Sequence, residues 1–138
     1  MYFIEEGLYQ GPRPKALHPT ITAIINLEAM EDGAFLHDDL TDVSTARIML
    51  PIYDADYPGH KWLTMAVKIV EALREAGHVV YIHCRGGISR SAMLTAAVLM
   101  KKHGWDLDKA MNHIAGSNAT VDANPRFMRG LKDWKPRG

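Results

Sequence analysis

Two spacings of apolar residues alternate along this chain. Thr22-Ala-Ile-Ile-Asn-Leu27, Arg47-Ile-Met-Leu-Pro-Ile52 and Val79-Val-Tyr-Ile-His83 are short β-branched runs with the length of buried strands. Pro51 has no amide hydrogen, so the second run ends or meets a sheet edge there. Elsewhere the apolar positions recur at helical spacing. Trp62, Ala66, Ile69, Val70 and Leu73 form one stripe, and Gly77 follows where a helix end takes a left-handed residue. Residues 90–103 are rich in Ala, Leu and Met and close on Gly104. Asp106 can cap a short helix carrying Ala110, Met111 and Ile114. Asn124-Pro125 opens a last helix on which Phe127, Leu131 and Trp134 share a face. Residues 28–45 show no clean period and read as irregular or weakly helical. Strands alternating with helices predict an α/β fold, a single domain with a central, mostly parallel β-sheet flanked by α-helices.

Composition narrows the classes. The 138 residues match one domain at ~100–200 residues each, so residues 1–138 are read as one unit. Sixteen Lys and Arg balance 16 Asp and Glu. Nucleic-acid or anionic-membrane binding draws on a basic surplus, so no nucleic-acid partner is expected. No apolar run reaches the ~18 residues of a membrane helix, so no membrane insertion is expected. The chain opens on Met-Tyr-Phe-Ile-Glu-Glu, which has neither a basic leader nor a signal-like stretch. One cysteine excludes an internal disulfide and points to a reducing compartment, so the expected location is cytoplasmic. The seven histidines lack metal spacing and there is no second cysteine to share an ion, so no metal and no cofactor are expected.

The lone cysteine lies in His83-Cys84-Arg85-Gly86-Gly87-Ile88-Ser89-Arg90-Ser91, after the best strand and before the Ala/Leu/Met helix. A glycine-containing loop at a helix N-terminus gathers backbone N–H groups around an anion, and the helix dipole adds to the attraction. Thiolates are favoured at such positions and beside cations. Arg90 supplies a planar fork able to hold two oxygens of a phosphoryl group. Taken together, a nucleophilic sulfur and an arginine clamp around a phosphate-sized nest suggest covalent phosphoryl transfer.

The segment fits Cys-x5-Arg-Ser and resembles the signature of the cysteine-dependent protein tyrosine and dual-specificity phosphatases. The resemblance is strongest over residues 48–100. It implies that Cys84 attacks phosphorus, that Arg90 binds phosphate, and that Ser91 hydrogen-bonds the leaving thiolate. It also implies that His83 orients the loop from behind, and that the backbone of Arg85, Gly86, Gly87, Ile88, Ser89 and Arg90 cradles the oxygens. The family places a general acid about thirty residues before the cysteine. Leu50-Pro51-Ile52-Tyr53-Asp54-Ala55-Asp56-Tyr57-Pro58 resembles that loop, with Asp54 in the matching place and Asp56 as the alternative. Gly7-Leu-Tyr-Gln-Gly-Pro-Arg13 resembles the segment that often precedes the family's first strand. Many relatives carry Arg-x-x-Arg-Pro after the penultimate helix, where this chain has Ile114-Ala-Gly-Ser-Asn118.

The resulting expectation is a monomeric, metal-independent phosphatase acting on phosphotyrosine, and on phosphoserine or phosphothreonine, in proteins or small phosphomonoesters. Three alternatives stand beside it: a phosphoinositide or other small-phosphate phosphatase of the same chemistry, a phosphoprotein-binding module without turnover, and a sulfurtransferase of the rhodanese kind.

Overall fold

The computed structural model describes residues 1–29 and 44–136. In chain order the elements are β1 (Tyr2–Glu5), β2 (Leu8–Gly11), β3 (Ala23–Asn26), β4 (Ala46–Met49), α1 (His60–Glu75), β5 (Val80–His83), α2 (Arg90–His103), α3 (Leu107–Ser117) and α4 (Pro125–Asp133). The described strands form one sheet in the order β1-β2-β5-β3-β4. All neighbours are parallel except β1 against β2. This is the mostly parallel α/β sheet that the alternation predicts.

Strand β5 lies in the middle, paired with β2 on one side and β3 on the other. Its alternation sorts the two sheet faces. Val80 and Ile82 join Leu8, Ala23 and Ile25 in the main core with Leu63, Val70, Leu94, Leu99, Ile114 and Phe127 from the helices. Tyr81 faces the other way and packs with Ile21, Ile24, Tyr9 and Leu17. The chain leaving β2 therefore covers the second face.

The helix ends follow their local chemistry. After α1, the Gly77 and His78 amides donate to the Arg74 and Leu73 carbonyls, a Schellman ending with Gly77 at φ +94°. Gly104 closes α2 in the left-handed region. Asp106 caps α3 through the Lys109 amide, and Asn124 caps α4 through the Phe127 amide.

Two expectations gain detail. Strand β4 is the edge strand, as Pro51 suggests, and its regular span stops at Met49. The Leu50 and Ile52 amides still donate to the Asn26 and Leu27 carbonyls, and an irregular segment follows beside the 84–89 loop. Residues 7–13 do more than precede the first strand. They contain β2, which pairs with β5 from Leu8 against Val80 to Gly11 against His83. The hairpin escapes a periodicity reading because each strand has only four residues and mixes polar with apolar side chains. The irregular or weakly helical expectation for residues 28–45 falls almost wholly on residues 30–43, outside the described residues.

Candidate active site

Strand β5 ends at His83 and helix α2 begins at Arg90, so the six residues between them are held at both ends by regular structure. Cys84 is buried, 2% exposed. Its Sγ lies 3.2 Å from Ser91 Oγ and accepts the Ser91 backbone N–H at 3.4 Å. A backbone N–H donor and a hydroxyl from the first turn of α2 thus meet the sulfur, and the helix dipole favours negative charge there. Ser89 stands at the N-cap of α2 but makes no side-chain capping bond. Its hydroxyl turns instead to Asp54, donating to Oδ1 at 2.8 Å.

The two glycines of the loop differ. Gly87 has φ +71°, and a Cβ there would come within 2.5 Å of Gly11 C and Pro12 N. It is required for both backbone conformation and close approach to the end of β2. Gly86 lacks a left-handed φ, and a Cβ on it would meet only the Ile88 side chain at ordinary contact distance. Arg85 and Ile88 are exposed at the rim.

Arg90 is buried although it is charged, and its Nη1 donates to the Ile52 carbonyl at 3.0 Å. A cation at a helix N-terminus is electrostatically unfavourable unless an anion joins it. The bond to Ile52 ties the arginine to the segment carrying Asp54 and Asp56. These two carboxylates have different surroundings. Asp54 Oδ1 accepts from Ser89 Oγ and from Asn124 Nδ2, each at 2.8 Å, which brings it to the cysteine loop. Asp56 pairs with Arg126 and its side chain is 84% exposed. Of the two, Asp54 is the one bonded to a residue of the cysteine loop.

His83 is buried, with Nδ1 3.3 Å from the Cys84 carbonyl and 3.6 Å from Glu28 Oε2. Glu28 is fully buried and pairs with Arg13, whose backbone N–H donates to the Arg85 carbonyl at 3.0 Å. Tyr81 donates to the Pro12 carbonyl, and burial, with the nearby Cys84 and Tyr2, pushes its hydroxyl pKa up. On the acid side, the Tyr57 ring lies so close over Gly130 that a Cβ there would sit 2.4 Å from it. Burial first, and then the Asp133 charge, push Tyr57 up to about 12, so it stays a neutral donor or acceptor beside His60.

Several residues at this site escaped the sequence reading: Gln10, Arg13, Glu28, Asn118 and Asn124. Asn124 was visible only as a helix cap. Gln10 left one faint signal, being a polar residue on the same strand parity as Leu8, which faces the core. Among the described residues no group of three or more His, Cys, Asp or Glu can hold a metal ion.

The fold and the cysteine loop define an α/β domain with a buried cysteine at a strand–helix junction. The family model "Dual specificity phosphatase, catalytic domain" matches residues 8–137, and the chain belongs to that family. Dual specificity protein phosphatase 1 of Arabidopsis thaliana is 27% identical over 131 residues, 94% of this chain and 66% of that protein. Protein phosphatase Slingshot homolog 2 of Homo sapiens is 34% identical over 68 residues. That match spans 49% of this chain and 5% of the relative. Among solved structures, PTPMT1 in complex with PI(5)P superposes with a TM-score of 0.81 at 23% identity, covering 96% of this chain and 92% of that one. Among the described residues no helix is long and apolar enough to cross a membrane.

Proposed function

We propose that residues 1–138 are one catalytic domain that hydrolyses phosphomonoesters, phosphotyrosine foremost, through a phosphocysteine intermediate on Cys84. The observation that carries this reading is the Ser91 amide and hydroxyl, both on a buried cysteine sulfur at the head of α2. In the first step the thiolate attacks phosphorus, the phosphorus–oxygen bond breaks, and Asp54 protonates the leaving oxygen. The Arg90 guanidinium and the amides of residues 85–90 hold the three remaining oxygens. In the second step Asp54 takes a proton from water, water attacks phosphorus, and the sulfur leaves as thiolate toward Ser91. His83 holds the loop from behind. The substrate is a phosphorylated protein or a small phosphomonoester met by a monomer in the reducing cytoplasm, where the thiol stays reduced.

The test is phosphate release from p-nitrophenyl phosphate in EDTA by the wild type and by Cys84→Ser. Turnover that needs no metal and vanishes in the variant is expected. A folded, reduced wild type that binds phosphopeptide without releasing phosphate would identify a binding module, and sulfur transfer from thiosulfate would identify a sulfurtransferase. One structural neighbour was solved with PI(5)P, which supports a phosphoinositide as the second substrate reading. Release from that lipid exceeding release from phosphotyrosyl peptides would favour it.

A further inference from the structure

Beneath the cysteine loop lies a buried amide pair that the mechanism above does not use. Gln10, on β2, and Asn118, just past α3, are both fully buried. Their orientations follow from the backbone. Asn118 Oδ1 accepts the Thr120 backbone N–H at 3.1 Å, and an N–H can only donate. Asn118 Nδ2 must therefore face the other way, where it donates to the Gly87 carbonyl at 3.2 Å and to Gln10 Oε1 at 3.1 Å. That sets Gln10 in turn. Its Nε2 donates both hydrogens, one to the Gly87 carbonyl and one to Ser91 Oγ, each at 2.8 Å.

Ser91 has one hydrogen to give, and its oxygen already accepts from Gln10. Two acceptors remain near it, Cys84 Sγ at 3.2 Å and the Gly11 carbonyl at 3.4 Å. A negatively charged sulfur is the stronger acceptor and the nearer one. We propose that Gln10, braced by Asn118, is a positioning residue that orients the Ser91 hydroxyl so that its hydrogen points at the Cys84 sulfur. The effect belongs to the second step. Water forms the new oxygen–phosphorus bond, its proton passes to Asp54, and the sulfur–phosphorus bond breaks with its electron pair going to sulfur. A pre-aimed hydroxyl meets that charge without reorganising. The Gly87 carbonyl keeps its second donor, Asn118, when Gln10 is lost, so the loop is not expected to depend on Gln10 alone.

This inference rests on the phosphatase reading, and its test separates the two. Gln10→Met, Ser91→Ala and the double variant are followed by rapid mixing with p-nitrophenyl phosphate, with the phosphoenzyme detected by intact mass. In Gln10→Met the nitrophenol burst is expected to keep its rate and KM, while decay of the phosphocysteine slows about tenfold, as for a lost hydrogen bond to a charged group. The double variant is expected to be no slower than Ser91→Ala, because Gln10 acts through Ser91. Losses that multiply, or a loss confined to the burst or to KM, overturn the proposal. So does unchanged decay in Gln10→Met when Ser91→Ala stalls, and in that case the phosphatase reading survives. No turnover by the wild type overturns both. Should Gln10→Met fail to melt cooperatively, Asn118→Ala removes the brace and is expected to slow the same step about threefold, as for a neutral hydrogen bond. Unchanged decay there overturns the orientation chain.

Discussion

Residues 84–89 run between β5 and the first turn of α2, with Cys84, Gly87 and Ser89 buried. Residues 51–58 belong to no helix or strand, and both Asp54 and Asp56 are exposed. The first segment is fixed at both ends by regular structure, and distant groups add to that hold: the Arg13 amide on the Arg85 carbonyl, and Gln10 and Asn118 on the Gly87 carbonyl. The second relies mainly on distant side chains, Ser89 among them. Asn124 reaches Asp54 and the Ala55 carbonyl, Arg126 pairs with Asp56, and Tyr57 lies against Gly130, all partners from α4 or its cap. Cys84 is thus held largely by backbone, whereas Asp54 and Asp56 are held by side chains that can be removed one at a time. The two segments touch through Ser89 on Asp54 and Arg90 on the Ile52 carbonyl, and substitutions elsewhere can perturb each one separately.

The largest effect should come from the proposed acid. Asp54→Asn is expected to slow hydrolysis of an alkyl phosphate by roughly a hundredfold or more, the range of general acid–base catalysis, with Asp56→Asn within a few-fold of wild type. Steady-state rates on the two variants decide it, and equal losses would break the contrast drawn between these carboxylates. Next is the loop. Gly87→Ala combines a left-handed φ with a clash against Gly11 and Pro12, and should cost ~2–4 kcal/mol of stability together with most of the activity. Gly86→Ala should remain near wild type in both melting temperature and rate. A tolerated Gly87→Ala would show that the loop is less firmly held by its backbone than its geometry implies.

Asn124→Ala sharpens the comparison, because it removes a bond to Asp54, together with the cap of α4, without touching the cysteine. The expected loss is about tenfold in kcat, the weight of one hydrogen bond to a carboxylate, with the rate of Cys84 alkylation by iodoacetamide unchanged. A parallel fall in alkylation would mean that the two halves are not independent.

The smallest effect lies outside the site. Glu5 is pushed up by burial, but bonds from Arg74, His103 and Lys102 outweigh that and bring its carboxyl from the usual 4.5 down to about 2. A depressed native pKa means that the unfolded chain takes up the proton first. The stabilisation is therefore complete above about 4.5 and fades as pH falls toward about 2. Glu5→Gln should lower the melting temperature slightly at neutral pH, with the difference from wild type shrinking across that acid window and turnover unaffected. The shift should be small because solvent screens these charges.

How much of this was legible beforehand follows from sequence distance. The strand–loop–helix around Cys84, the caps at Asp106 and Asn124, and the ending at Gly77 are all local. Each depends on side chains or conformations within a few residues, so their signals sit side by side in the chain. The N-terminal hairpin was not legible, since four-residue strands with mixed polarity carry too little periodicity. The choice of Asp54 over Asp56 was legible only as a match to the resembled loop, because the contact that sets them apart, Asn124 on Asp54, spans 70 positions.

By itself the sequence determined the α/β alternation and the place of the cysteine at a strand end. It also determined the arginine and serine that open the next helix, because backbone propensity and short-range hydrogen bonding act between near neighbours. Only the tertiary structure showed how Asp54 reaches the loop, which of two adjacent glycines leaves no room for a side chain, and which groups Gln10 and Asn118 bond. Those two amides are 108 positions apart. A buried polar side chain has meaning only through the partner that satisfies it, and that partner exists only once the sheet has brought β2 beneath the loop.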